Sequence, residues 1–156
     1  MEKQPSSRTC FLCGRENDKG LKMTWYNDRE KNQVIATVVV PEYLNSYPGV
    51  AHGGIVSTLL DETSGRAILM DDPDNLFVTA RLEVRYRIPT PTQTPLTVVG
   101  WAVKGKKNYA RVAAEVRLPD GTVTAEATAL VVRPPAEFYN ACNWQKEKGF
   151  WRVYED

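Results

Sequence analysis

Tyr47-Pro-Gly-Val-Ala-His52-Gly-Gly-Ile-Val-Ser-Thr-Leu-Leu-Asp61-Glu-Thr-Ser-Gly65 holds the single histidine of the chain and opens its one long helical pattern. Pro48 and Gly49 punctuate the backbone, and the Gly53-Gly54 pair lets amides come close to a ligand. Amides at a helix start lack intrahelical acceptors and carry partial positive charge, which suits an oxyanion or a phosphate. Val56, Leu59, Leu60, Thr63 and Ala67 then recur at helical spacing. This predicts a helix from about Gly54 to Met70, closed by Asp71-Asp72-Pro73, with that face buried on a sheet. Gly65 weakens a helix by about 1 kcal/mol relative to alanine, so it predicts close packing against a neighbour.

Working outward, Leu21, Met23 and Trp25 alternate with Lys22, Thr24 and Tyr26, which reads as a half-buried strand. With the β-branched run from Gln33 to Val40 it forms an expected hairpin. On the other side, Phe77–Ile88 alternates Val78, Ala80, Leu82, Val84 and Tyr86 against Arg81, Glu83, Arg85 and Arg87. Three more strands follow, Leu96–Val103, Tyr109–Leu118 and Thr122–Val132, joined by Lys104-Gly-Lys-Lys-Asn108 and Pro119-Asp-Gly121 turns. Small residues in the last strand, Ala125, Ala127 and Ala129, let a helix lie close. Two strands, a helix and four strands make an α+β domain with an antiparallel sheet. Neither internal repeats nor low-complexity tracts occur.

With 156 residues the chain is expected to be one domain, which can bury a core without staples. Lys and Arg number 20 against 19 Asp and Glu, so no net field recruits nucleic acid or a membrane surface. The N-terminus lacks a signal-peptide pattern and no stretch reaches the ~20 apolar residues of a span, so the sequence reads as soluble and cytoplasmic. Three cysteines argue for reduced thiols. Cys10-Phe-Leu-Cys13-Gly14 is half of a zinc ribbon. Only Cys142 and His52 are left as soft ligands, so a small buried turn is expected rather than a metal. Residues 137–156 carry Phe138, Tyr139, Trp144, Phe150, Trp151 and Tyr154, too aromatic for a solvated tail, and should pack on the body or on a partner subunit.

The element order, together with Pro48-Gly-Val-Ala-His-Gly-Gly54, Thr58-Leu-Leu-Asp61, Thr79-Ala-Arg-Leu-Glu-Val-Arg-Tyr-Arg-Ile-Pro89, and Asp120-Gly121 with Ala125-Glu126-Ala127, resembles the hotdog-fold acyl-CoA thioesterases of the phenylacetyl-CoA type. The lead-in Cys-x-x-Cys-Gly with Lys19-Gly20-Leu21 resembles one found ahead of some members. The resemblance spans roughly residues 10 to 134. It implies a hotdog fold, an antiparallel sheet of five or six strands wrapped around one long central helix. The expected organisation is a lead-in over residues 1–20, a hotdog domain over 21–134 and an aromatic extension over 135–156.

The resemblance also implies hydrolysis of a fatty or aromatic acyl-CoA without metal or cofactor. The Gly53 amide would cradle the oxyanion, His52 would help hold the thioester, and Asp61, steered by Thr79, would be base or nucleophile. Gly54 would help bind substrate, while Tyr86, Arg87, Lys104, Lys106 and Lys107 would lie near the coenzyme A phosphates. Asn45 or Ser46 would stand where some relatives carry an amide side chain ahead of the histidine. Strand alternation puts Thr79 on the charged face with Arg81 and Glu83, although a strand start can break phase through a bulge, and its role rests on the matching family position. Gly54 and Asp61 are seven residues apart, about 10 Å along one helix, too far to reach one carbonyl carbon. Asp61 must therefore serve a cradle on another subunit, which predicts a homodimer or a dimer of dimers. The alternative is a hotdog protein that binds acyl-CoA or fatty acid without cleaving it.

Overall fold

The computed structural model describes residues 1–141 and 144–156, Gln145 by its backbone alone. Cys142, counted above as a soft ligand, lies outside the described residues. The elements run β1 (Glu2–Lys3), β2 (Tyr26–Asp28), β3 (Gln33–Val39), α1 (Gly53–Arg66), β4 (Val78–Tyr86), β5 (Pro95–Gly105), β6 (Tyr109–Arg117), β7 (Val123–Val132), α2 (Ala136–Ala141) and α3 (Trp144–Glu147). Among the described residues the seven strands form one antiparallel sheet, β1-β2-β3-β5-β6-β7-β4, with α1 laid against strands β3 to β7. This is the hotdog arrangement with one strand more than expected, the two-residue β1. No helix among the described residues is long and apolar enough to cross a membrane.

The helix buries the face its spacing selects, with Leu59, Leu60 and Thr63 fully covered. Replacing either leucine by alanine should cost about 2–5 kcal/mol. The close approach of helix to sheet is made at Gly100 in β5, where a Cβ would sit 2.4 Å from the Thr63 carbonyl oxygen. Ala125, Ala127 and Ala129 of β7 are buried beside it. Gly65 does not perform that role: a Cβ there would meet nothing within 4 Å. The helix proper ends at Arg66 and continues as a single 3-10 turn, Ala67–Leu69.

The expected strand Leu21–Tyr26 is corrected. Met23 and Trp25 are buried, as the alternation implies. Their backbone, however, bonds the irregular lead-in: Leu21 N–H to Phe11 O at 3.1 Å and Met23 N–H to Leu12 O at 2.7 Å. Alternation therefore reported burial, while the ladder begins only at Tyr26. Trp25 donates its indole N–H to Thr63 Oγ1 at 2.9 Å, fastening this segment to α1.

The described tail residues pack on the lead-in. Ser6 and Arg152 form a bridge, Arg8 pairs with Glu147 and lies over the Phe150 ring, and Asp156 meets Lys3 and Arg15, each at 2.6 Å.

Candidate active site

The loop before α1 is braced by Glu42, which accepts from Thr92 Oγ1, from the Gly49 amide and from Asn45 Nδ2. The Thr92 hydroxyl, then the Gly49 amide, then the Asn45 amide hold the Glu42 carboxyl below its ordinary range. Asn45 is thus committed to the loop. Ser46 contributes its backbone, its amide bonding Val50 O.

His52 is the N-cap of α1, and its Nδ1 accepts from the Gly54 amide at 2.9 Å. In the neutral ring this leaves the proton on Nε2, which makes exposed His52 an outward donor. Gly54 is consequently occupied within its own chain. Gly53, the first helical amide, has no intrahelical acceptor. Tyr86, from the far end of β4, closes over this start: its hydroxyl donates to Gly53 O at 2.7 Å and lies 2.6 Å from Ser57 Oγ.

Two turns further along α1, Thr79 Oγ1 donates to Asp61 Oδ1 at 2.7 Å. The means is a bulge. Thr79 pairs with Val131 and Arg81 with Leu130, so Ala80 is the extra residue that reverses the phase of the strand. Thr79 thereby joins Leu82, whose partner Ala129 is buried, on the helix side instead of the charged one.

A cavity of about 460 Å³ adjoins this pair. Asp61, Glu62, Gly65 and Arg66 line it from α1, Cys10 and Cys13 from the lead-in, and Phe138, Trp144 and Trp151 from the tail. The bare Gly65 widens this space. Arg66 is a buried cation. Its Nε donates to Glu62 Oε1 at 2.8 Å, its Nη1 reaches Pro5 O at 2.8 Å, and it stands 4.1 Å from the Trp25 ring centroid and 5.4 Å from that of Trp151. Cys10 and Cys13 share a hydrogen bond, which with the positive charge of Arg66 holds the Cys13 thiol below its ordinary range against its burial, while the same bond and burial push Cys10 up.

The remaining candidate residues divide differently from expectation. Lys104, Lys106 and Lys107 are exposed at the β5–β6 hairpin, and Tyr109 at its base pairs with Val132, which pairs with Val78. Tyr86 pairs with Ala125, at the opposite end of the sheet. Within one chain, therefore, the lysine turn lies at the Asp61 end and Tyr86 at the helix start. Arg87 is not a free cation, since it forms a two-pronged pair with Glu126 at 2.8 and 3.1 Å. The sequence offers Glu62 only as the fallback for Asp61 and the cysteine pair only as half of a zinc ribbon, and it does not single out Arg66. Each alone reads as a helix acid, a helix base or a turn, and only folding brings them around one cavity.

The thioesterase superfamily model matches residues 48–125, half of the chain, from the loop before His52 into β7. The chain belongs to the thioesterase superfamily. Among curated superfamily relatives, mouse acyl-coenzyme A thioesterase THEM4 is 23% identical over 134 residues, covering 85% of this chain and 56% of the relative. The chain thus spans little more than half the length of the curated relatives it matches. A solved thioesterase superfamily protein is 29% identical with a TM-score of 0.73, over 80% of this chain and 60% of its own. A Streptococcus mutans protein solved bound to acetyl CoA is 26% identical with a TM-score of 0.59, over 65% of this chain and 80% of its own.

Proposed function

We propose that the chain hydrolyses the thioester of a fatty or aromatic acyl-CoA to the free acid and coenzyme A, with Asp61 as general base or nucleophile. The observation that carries this reading is the 2.7 Å bond from Thr79 to Asp61. It fixes a carboxylate at the wall of a cavity of about 460 Å³, a size that suits a small-molecule acyl group. Relatives named as acyl-CoA thioesterases and a structural neighbour bound to acetyl CoA support the substrate class.

In the base form, Asp61 takes a proton from water, whose oxygen adds to the carbonyl carbon. The Gly53 amide at a helix start receives the oxyanion without reorganising, the carbon–sulfur bond breaks, and the departing thiolate takes up the proton. In the nucleophile form Asp61 itself attacks, and water resolves the mixed anhydride. Nε2–H of His52 is directed outward to hold the thioester.

The two halves meet across a homodimer in this reading. Gly53 and Asp61 are eight residues apart on one rigid helix, about 12 Å. The outer edge of β4 has no strand beside it among the described residues. Antiparallel pairing of two β4 edges about a two-fold axis would bring the Tyr86 end of one chain beside the Thr79 end of the other. The same operation would carry the lysine hairpin toward the partner's helix start, where Lys104, Lys106 and Lys107 could meet coenzyme A phosphates beside Tyr86.

A panel of acyl-CoAs incubated with wild type and Asp61→Ala, followed by release of free thiol, tests the assignment. Release by wild type and not by the variant is expected. Full release by the variant would move the chemistry elsewhere, and release by neither with tight acyl-CoA binding would favour a non-catalytic carrier. Hydrolysis by a strictly monomeric protein would sink the shared site.

A further inference from the structure

The cysteine knuckle left without a role by the reaction has a third donor that no count of soft residues would find. The ligand atoms of Cys10, Cys13 and Glu62 lie within 4.8 Å of one another, on the wall of the cavity next to Asp61. We propose that these three residues form a binding site for a thiophilic divalent cation of the zinc class, which fastens the lead-in to α1 one residue from Asp61. The inference is independent of the reaction assigned to the cavity.

Three features argue for a built site. The first is the turn itself: Gly14 bonds its amide to Cys10 O at 2.8 Å, and a Cβ at Gly14 would stand 2.3 Å from that oxygen, so the knuckle requires glycine. The second is orientation. Each donor is already held by one N–H: Cys10 Sγ by the Leu12 amide and Cys13 Sγ by the Ser7 amide, each at 3.4 Å, and Glu62 Oε1 by Arg66 Nε at 2.8 Å. Such outer partners are what orient metal ligands. The third is charge. Two thiolates and a carboxylate carry three negative charges, and buried Arg66 with one divalent cation supplies three positive ones.

Two sulfurs and one oxygen suit a tetrahedral ion with one position open, since zinc accepts thiolate and carboxylate together while magnesium and calcium prefer oxygen alone. All three donors border the cavity that the Asp61 carboxylate also lines. Glu62 contributes one oxygen to Arg66 and retains the other for the ion.

Cobalt is the probe. The full chain, reduced and freed of metal, is titrated with Co2+ and then with Zn2+. Expected are one equivalent bound, a near-ultraviolet thiolate-to-cobalt charge-transfer band and its loss as zinc displaces cobalt. Cys10→Ser and Cys13→Ser should each abolish saturable binding, and Glu62→Gln should keep the band while weakening affinity at least tenfold. Absence of a saturable band in the reduced wild type, a band that survives Cys13→Ser, or unchanged affinity in Glu62→Gln would each overturn the site. Should a serine variant fail to fold, the wild type still decides. Zinc must protect both Cys10 and Cys13 from alkylation, read peptide by peptide, and equal labelling with and without zinc would refute the proposal.

Discussion

The start of α1 and the turn around Asp61 belong to one rigid helix yet are prepared in different ways. At the start, His52 and Gly54 are exposed, Nδ1 of His52 caps the Gly54 amide, and Tyr86 bridges Ser57 and Gly53 O. Around Asp61 the acid is partly buried, oriented by a residue from another element, and backed by a cavity walled by both termini of the chain. The first region offers the Gly53 amide and His52 Nε2–H at a surface; the second is a carboxylate with a chamber behind it. Under the proposed reading neither is a site alone. The contrast teaches why an enzyme of this build would need its own copy: a helix fixes the spacing of its residues, so groups two turns apart can converge only on different molecules.

The most severe way to break the comparison is Asp61→Ala, expected to lower thiol release from acyl-CoA at least about a hundredfold while leaving the circular dichroism spectrum unchanged. At the other end, Gly53→Pro removes the cradle amide at a first-turn position where proline is tolerated, and kcat should fall about a hundredfold. These two variants sharpen the contrast when mixed and allowed to exchange subunits. Random pairing puts one intact site in half of the dimers, so about a quarter of wild-type activity should return. No recovery on mixing would mean that each site belongs to one chain.

A smaller effect is expected of Thr79→Val. It removes one hydrogen bond to an ionised group, worth about 1.5–3 kcal/mol, so a loss of tenfold or more should fall on kcat, with KM little altered. The gentlest test concerns the fastening of the tail whose Trp144 and Trp151 line the cavity. The Lys3 ammonium, then the Arg15 guanidinium, holds the Asp156 carboxyl at about 2. A depressed carboxyl fastens the tail at pH above its ordinary value of 3.8, and that fastening is lost as pH falls from there through about 2. Tryptophan fluorescence or limited proteolysis should show the tail loosening over this window in wild type and already loose at neutral pH in Asp156→Asn. Acyl-chain selectivity should change in that variant while the helix start is unaffected.

Much of this was legible in the sequence wherever one element carried the whole signal. The buried face of α1 followed from Val56, Leu59 and Leu60, and the hairpins of the last three strands from their turns. Burial without pairing misled at Met23 and Trp25, because period-two alternation records which side a residue faces and says nothing about where its backbone bonds. Gly65 and Gly100 show the same limit. Both are glycines inside regular elements, but only the fold reveals that one meets a cavity and the other a carbonyl oxygen. That the start of β4 could break phase was legible, though not that Ala80 is the extra residue, whereas the approach of Cys10, Cys13, Glu62 and Arg66 depends on a lead-in of irregular turns that has no periodicity to read.

The bulge at Ala80 has a consequence beyond aiming Thr79. An exposed edge strand with even spacing invites unlimited stacking, since every added strand offers the next a fresh template. An extra residue near one end of β4 interrupts that even row, so the edge favours a mate whose own irregularity falls in the matching place. The single residue that turns a hydroxyl toward the acid would therefore also favour a finite pair over open-ended polymerisation.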